Sequence, residues 1–157
     1  MYEHLLVPLD GSPAAERVLE HAEAFAKAFG STITLLRATI SPEMVLAQTG
    51  GGDATVGQLA TSLDPEPVVE ADQDSARTYL DGIAARLRPH NVPVNVECPE
   101  GPANRVIVER AAELGVGLIL MTTHGRSGLG RMVFGSTADS VLRHAPCPVL
   151  LVRITDL

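Results

Sequence analysis

Between Met121 and Thr137 the chain reads Met-Thr-Thr-His-Gly-Arg-Ser-Gly-Leu-Gly-Arg-Met-Val-Phe-Gly-Ser-Thr. Gly125, Gly128, Gly130 and Gly135 share this stretch with five hydroxyl side chains and two arginines. These residue types suit the holding of phosphate. Glycine lets the backbone approach an anion closely, and the unpaired N–H groups at the start of a helix point at it. Ser136 offers a hydroxyl beside such groups. A phosphate there gains roughly 0.3–1 kcal/mol per charge from the helix dipole when exposed. Arg126 and Arg131 have the fork geometry that pairs with phosphate oxygens two at a time. A second polar group, Asp10-Gly11-Ser12, follows the first apolar run. Asp10 does not favour bare phosphate; its chemistry is a bond to a sugar hydroxyl or to a divalent cation.

The same residues have structural readings. Asp10-Gly11-Ser12-Pro13 is also a turn followed by a helix cap, Gly128 and Gly130 also serve loop geometry, and Ser136 also suits a cap position. Met121 reads as core, and His124 as an ordinary loop residue. A phosphate-binding P-loop is absent, since no Gly-Lys-Ser/Thr follows a four-residue gap and the only lysine is Lys27. The glycine fingerprint of dinucleotide binding is likewise missing after the first apolar run.

Elements that would position these groups follow from periodicity. Residues 5–9 read as a first strand. Residues 13–29 read as one helix, with Ser12 as N-cap, Pro13 in the first turn and Gly30 as C-cap. Ala15, Val18, Leu19, Ala22, Phe25, Ala26 and Phe29 share one face. Residues 31–37 form a second strand. Residues 41–63, with Gly50-Gly51-Gly52 and little periodicity, read as a long loop. A helix starts at Pro65 or Pro67 and runs to about Leu87, placing Val69, Ala76, Leu80, Ile83, Ala84 and Leu87 on one side. Residues 92–97 alternate as a third strand. Residues 102–114 form a helix, with Val106, Ile107, Ala111 and Leu114 inward and Gly115 as the stop. Residues 116–122 form a fourth strand, 138–144 a short helix and Val149-Leu150-Leu151-Val152 a fifth strand. Strands alternating with helices predict an α/β fold with a parallel sheet covered on both faces. In such sheets a ligand sits beyond the C-terminal strand ends where the strand order reverses. The Asp10 and Thr122 segments share one crevice if strands one and four are neighbours.

Bulk properties narrow the function. A chain of 157 residues is one domain with room for a core. A net charge of −7 argues against general nucleic-acid binding, and the scarcity of aromatics removes stacking platforms for bases. The charge is uneven. Residues 53–81 carry seven acids against Arg77, whereas Arg126, Arg131, Arg143 and Arg153 outnumber the two acids after residue 122. No apolar run reaches the ~20 residues a membrane helix needs, and no signal peptide is legible, so the expected setting is cytoplasmic. Cys98 and Cys147 are expected to be reduced, and no Cys/His spacing resembles a zinc site.

Three places carry a family resemblance: Val7-Pro8-Leu9-Asp10-Gly11-Ser12, the Thr122/Gly125/Gly135-Ser136 spacing, and the ending Arg143-His144-Ala145-Pro146-Cys147-Pro148-Val149-Leu150-Leu151-Val152. Together they resemble the universal stress protein family over nearly the whole chain. The resemblance implies a single domain over residues 1–157. It also implies an open five-stranded parallel sheet of order 3-2-1-4-5, related to adenine nucleotide α-hydrolase folds. It implies ATP as ligand, with Mg²⁺ as a companion ion. Pro8, Leu9 and Asp10 would border the adenosine, the backbone around Ala38 would contact the base, and Met121 would close the base pocket. Thr122, His124, Gly125, Arg126, Gly128, Gly135, Ser136 and Thr137 would surround the ribose and phosphates. The family usually has glycine where this chain has Thr122. Its β-carbon narrows the space beside base and ribose, its hydroxyl offers a bond to ligand, and a positive φ there would strain it.

The expected function is therefore an ATP-binding regulatory protein of the stress response, dimerising through the last strand. Two other readings stand beside it. One is a family member that binds no ATP and acts through dimer contacts. The other is a slow ATPase or nucleotidyl transferase using His124 and Asp10, although no nucleophile–base pair is legible.

Overall fold

The computed structural model describes residues 1–49, 64–124 and 135–154, with only the backbone of Thr49 and His124. Five parallel strands form one sheet: β1 (His4–Pro8), β2 (Thr32–Leu36), β3 (Val94–Glu97), β4 (Leu118–His124) and β5 (Val149–Ile154), in the order β3-β2-β1-β4-β5. The helices are α1 (Pro13–Glu16), α2 (Leu19–Phe29), α3 (Pro42–Thr49), α4 (Glu66–Leu87), α5 (Ala103–Glu113) and α6 (Ser136–His144).

Strand alternation sorts the core into two layers. Leu5, Val7 and Leu9 point to one face of the sheet, against Ala15 of α1, Val18 just before α2, Leu19 and Ala22 of α2, and Leu80, Ile83 and Ala84 of α4. Leu6 points to the other, where α5 and α6 bring Val106, Ile107, Ala111, Ala138 and Val141. Among the described residues no helix is long and apolar enough to cross a membrane.

Local chemistry sets the helix ends. Ser12 accepts from the Ala15 N–H at 3.1 Å, Pro13 opens α1, and Gly30 closes α2 in the left-handed conformation at φ 66°. The expected single helix over residues 13–29 is instead two. The Arg17 and Val18 N–H groups bond three residues back, to Ala14 and Ala15. This tightening breaks the α-helical ladder and leaves Val18 fully buried. Phe29 is 54% exposed rather than inward. It sits at the helix end, edge-on to Tyr2 and stacked on Phe25. Residues 42–49, expected as loop, form α3, a helix with no marked apolar face to signal it. α4 buries Val69, Ala76, Leu80, Ile83, Ala84 and Leu87, as its periodicity predicts.

β5 lies at the sheet edge. The Ile119 N–H donates to the Pro148 carbonyl at 3.0 Å, and Ile119 is in register with Val149. In a parallel ladder this phase turns the backbone groups of Leu150 and Val152 toward β4 and those of Val149, Leu151 and Arg153 outward. Among the described residues no strand pairs with that outer side.

Gly117 marks a close approach. Its N–H donates to the His4 carbonyl, and a β-carbon there would lie 2.5 Å from the Met1 carbonyl oxygen. Gly117→Ala is expected to cost about 1–3 kcal/mol, read as a fall of several degrees in melting temperature by calorimetry. An unchanged melting temperature would mean that the N-terminal residues yield freely.

Candidate functional site

The crevice lies where the strand order reverses. β1 connects outward to β2, and β4 returns to β1's other side, pairing Leu5 with Leu118 and Leu6 with Ile119. The segments leaving β1 and β4 therefore meet. Between them is a cavity of about 440 Å³, within the roughly 300–1,000 Å³ typical of small-molecule sites. Its lining includes Pro8, Leu9, Asp10, Ala38, Met121, Thr122, Gly135, Ser136 and Thr137, all of them residues that the sequence singles out. His124 ends β4. Gly125, Arg126 and Gly128 lie outside the described residues, as does Arg131.

One wall is the start of α6. Its cap residue is Gly135, at φ −57° and ψ 150°, which has no side chain with which to satisfy the first N–H groups. Ser136 is thus the first helical residue and not the cap. A helix opened by glycine leaves backbone donors facing the cavity, where an anion can take them. Arg143 does not add to this positive end, because both of its bonds go to Asp139 one turn away, at 2.9 and 3.2 Å.

The floor comes from β1 and β4. Asp10 Oδ1 accepts from the Ser12 N–H at 2.8 Å, so the turn reading of this segment holds while Asp10 also lines the cavity. Gly11 takes φ +86°, the left-handed conformation that this tight exit requires. Thr122 is half-buried in β4, paired with Val152. Among the described residues the one non-glycine with positive φ is Asn91, so Thr122 carries no backbone strain. Thr122 is one of the residues that line the cavity.

The opposite wall is the exit of β2, with residues that the sequence did not single out: Arg37, Ile40 and Asp72, with Ala103 and Ile107 beneath. The Arg37 N–H donates to the Glu97 carbonyl, the Thr39 N–H donates to Pro99, and the Thr39 carbonyl accepts from Gly101. Arg37 and Thr39 thus turn their backbone groups toward the β3 side. Alternation then turns those of Ala38 and Ile40 toward the β1 side, past the end of β1 and over the crevice. The Ile40 N–H donates to Asp72 Oδ2 at 2.9 Å. Among the described residues the N–H and carbonyl of Ala38 have no partner. Asp72 has no sequence signal, being one of the acids of a polar helix.

Arg37 is held beside this wall with its guanidinium 5.6 Å above the Tyr79 ring. The Tyr79 hydroxyl donates to Glu16 Oε1 at 3.2 Å. Burial, then the Glu16 carboxylate, push the phenol up to about 12, so it remains a donor at neutral pH. Both cysteines are free thiols whose burial raises their pKa, and neither lines the cavity. Neither is poised as a nucleophile.

Comparison with known proteins agrees with this fold. The model of the universal stress protein family matches residues 1–153. Universal stress protein MJ0531 of Methanocaldococcus jannaschii is 30% identical over 98% of this chain and 83% of its own length. Among solved structures, MJ0577 of the same organism superposes with a TM-score of 0.73 at 25% identity, covering 100% of this chain and 99% of that one. A universal stress protein solved in complex with cAMP superposes with a TM-score of 0.65 at 19% identity, covering 97% of each chain, a likeness of fold.

Proposed function

The chain belongs to the universal stress protein family, and on that premise we propose that it is a regulatory protein that binds ATP in the crevice between β1 and β4. The observation that carries this reading is the glycine-opened start of α6 facing the same cavity as the open backbone of Ala38. One wall offers donors for phosphate. The other offers one donor and one acceptor side by side, the pattern that a purine edge needs.

The nucleotide then lies with its base against Ala38 and Met121, its ribose near Asp10 and Thr122, and its phosphates at Gly135, Ser136 and Thr137. On the family resemblance, His124, Gly125, Arg126 and Gly128 are the further candidates for contact with the phosphates. A magnesium ion would be held mainly by phosphate and water, with Asp10 as the nearby carboxylate. A structural neighbour holds cAMP, which supports an adenine nucleotide as the ligand class. The proposal includes a homodimer through the outer edge of β5 and a cytoplasmic setting.

Calorimetric titration of the refolded, nucleotide-free protein with ATP and Mg²⁺ is expected to show saturable binding of about one per chain. No heat and no saturation from a folded sample would remove the nucleotide and leave a protein acting through its contacts alone.

A further inference from the structure

We infer that Asp72 reads the base, selecting a purine nucleotide with an amino group at C6 over one with an oxo group there. The inference rests on the nucleotide reading above and adds a residue that selects the base. Asp72 reaches across from α4 to the β2 exit, where its Oδ2 takes the Ile40 N–H at 2.9 Å. It is half-buried and lines the cavity. Among the described residues that N–H is its sole hydrogen-bond partner, so Oδ1 keeps its acceptor capacity.

Ile40 and Ala38 turn their backbone groups to the same side, as the ladder phase requires. The wall therefore presents two acceptors in one row: the Ala38 carbonyl and the remaining oxygen of Asp72. An exocyclic amino group carries two N–H donors and satisfies both. An oxo group at the same carbon would turn lone pairs toward a carbonyl and a carboxylate, leaving all three unpaired. The negative charge of Asp72 also repels phosphate from this end, which leaves the start of α6 to the phosphate chain.

The wall is held by hydrogen bonds of its own. Gln73, the next residue of α4, donates to Thr39 Oγ1 at 3.0 Å and to Glu100 at 3.3 Å. Thr39 bridges to Glu100 besides. Gln73 does not line the cavity. Asp72 and Gln73 thus divide the work on neighbouring positions: one faces the ligand, the other holds the strand exit.

The test is a titration of ATP, ITP and GTP into the parent, Asp72→Asn and Gln73→Ala. Asparagine keeps an oxygen for the Ile40 N–H and turns a donor toward the ligand, so the fold is preserved and the reading reversed. The parent is expected to prefer ATP over ITP, and Asp72→Asn to lower that ratio by about tenfold or more. Gln73→Ala is expected to leave the ratio unchanged. An unchanged ratio in Asp72→Asn, with ATP still bound, overturns the role of Asp72 alone. An equal shift in Gln73→Ala overturns direct contact, because the effect would then pass through Thr39. A parent that prefers ITP or GTP over ATP also overturns it. A folded parent that binds none of the three removes the nucleotide reading itself, and this inference with it.

Discussion

Gly135→Val is expected to weaken ATP binding by about 100-fold or more while the protein melts within a few degrees of the parent. Two facts separate the effects. The backbone of Gly135 has φ −57° and ψ 150°, which any residue adopts, and a β-carbon built there meets nothing within 4 Å among the described residues. Folding therefore loses little beyond the difference between a glycine and a valine cap, on the order of 1 kcal/mol or less. Binding loses much more, because a branched side chain would stand over the first N–H groups of α6. Each charge-assisted hydrogen bond lost there is worth about 1.5–3 kcal/mol. Calorimetric titration and a thermal melt on the same sample check both halves. A variant that melts normally and binds ATP as tightly as the parent would move the phosphates away from α6.

Leu151→Pro is expected to raise the dissociation constant of the proposed dimer by about 100-fold or more. The backbone of Leu151 faces outward from β5, so proline removes a donor that β4 does not use. In a two-fold interface the loss counts twice. Leu151 also packs against the α5–α6 layer, and Leu151→Ala is the control for that packing. The alanine variant keeps the N–H and is expected to remain a dimer. Sedimentation of the three proteins across a concentration series reads the result. A monomeric parent, or a proline variant that assembles as the parent does, would remove β5 as the assembly edge.

The sheet was legible because its strands are short apolar runs and its helices carry clean periodicity. The spacing of Val69, Ala76, Leu80, Ile83, Ala84 and Leu87 predicts the buried face of α4 position by position. The strand order came from the family resemblance, since alternation alone leaves the neighbours of β1 open. α3 is not legible because residues 42–49 lack an apolar stripe, and a helix without one leaves no trace in periodicity. The break at Arg17 and Val18 was hidden for the opposite reason: the apolar spacing continues across it. In the cavity, the β1 and β4 residues follow apolar strands and glycines that announce a turn. Asp72 has no such announcement. It reaches Ile40 across 32 positions, a contact made by packing α4 over the sheet edge, and only the three-dimensional fold brings it there.

β4 has two clients. The residues Met121, Thr122 and Thr123 of its C-terminal half line the cavity and pair in register with Leu151, Val152 and Arg153. If the proposed ligand and the proposed dimer both favour one setting of β4, occupancy and assembly would be linked equilibria. Such a ligand would shift the proposed dimer's dissociation constant, and assembly would shift the ligand's affinity by the same factor. Dilution then acts as an effector in its own right. The apparent affinity would drift with protein concentration, and the abundance of the chain would be part of the signal it transmits.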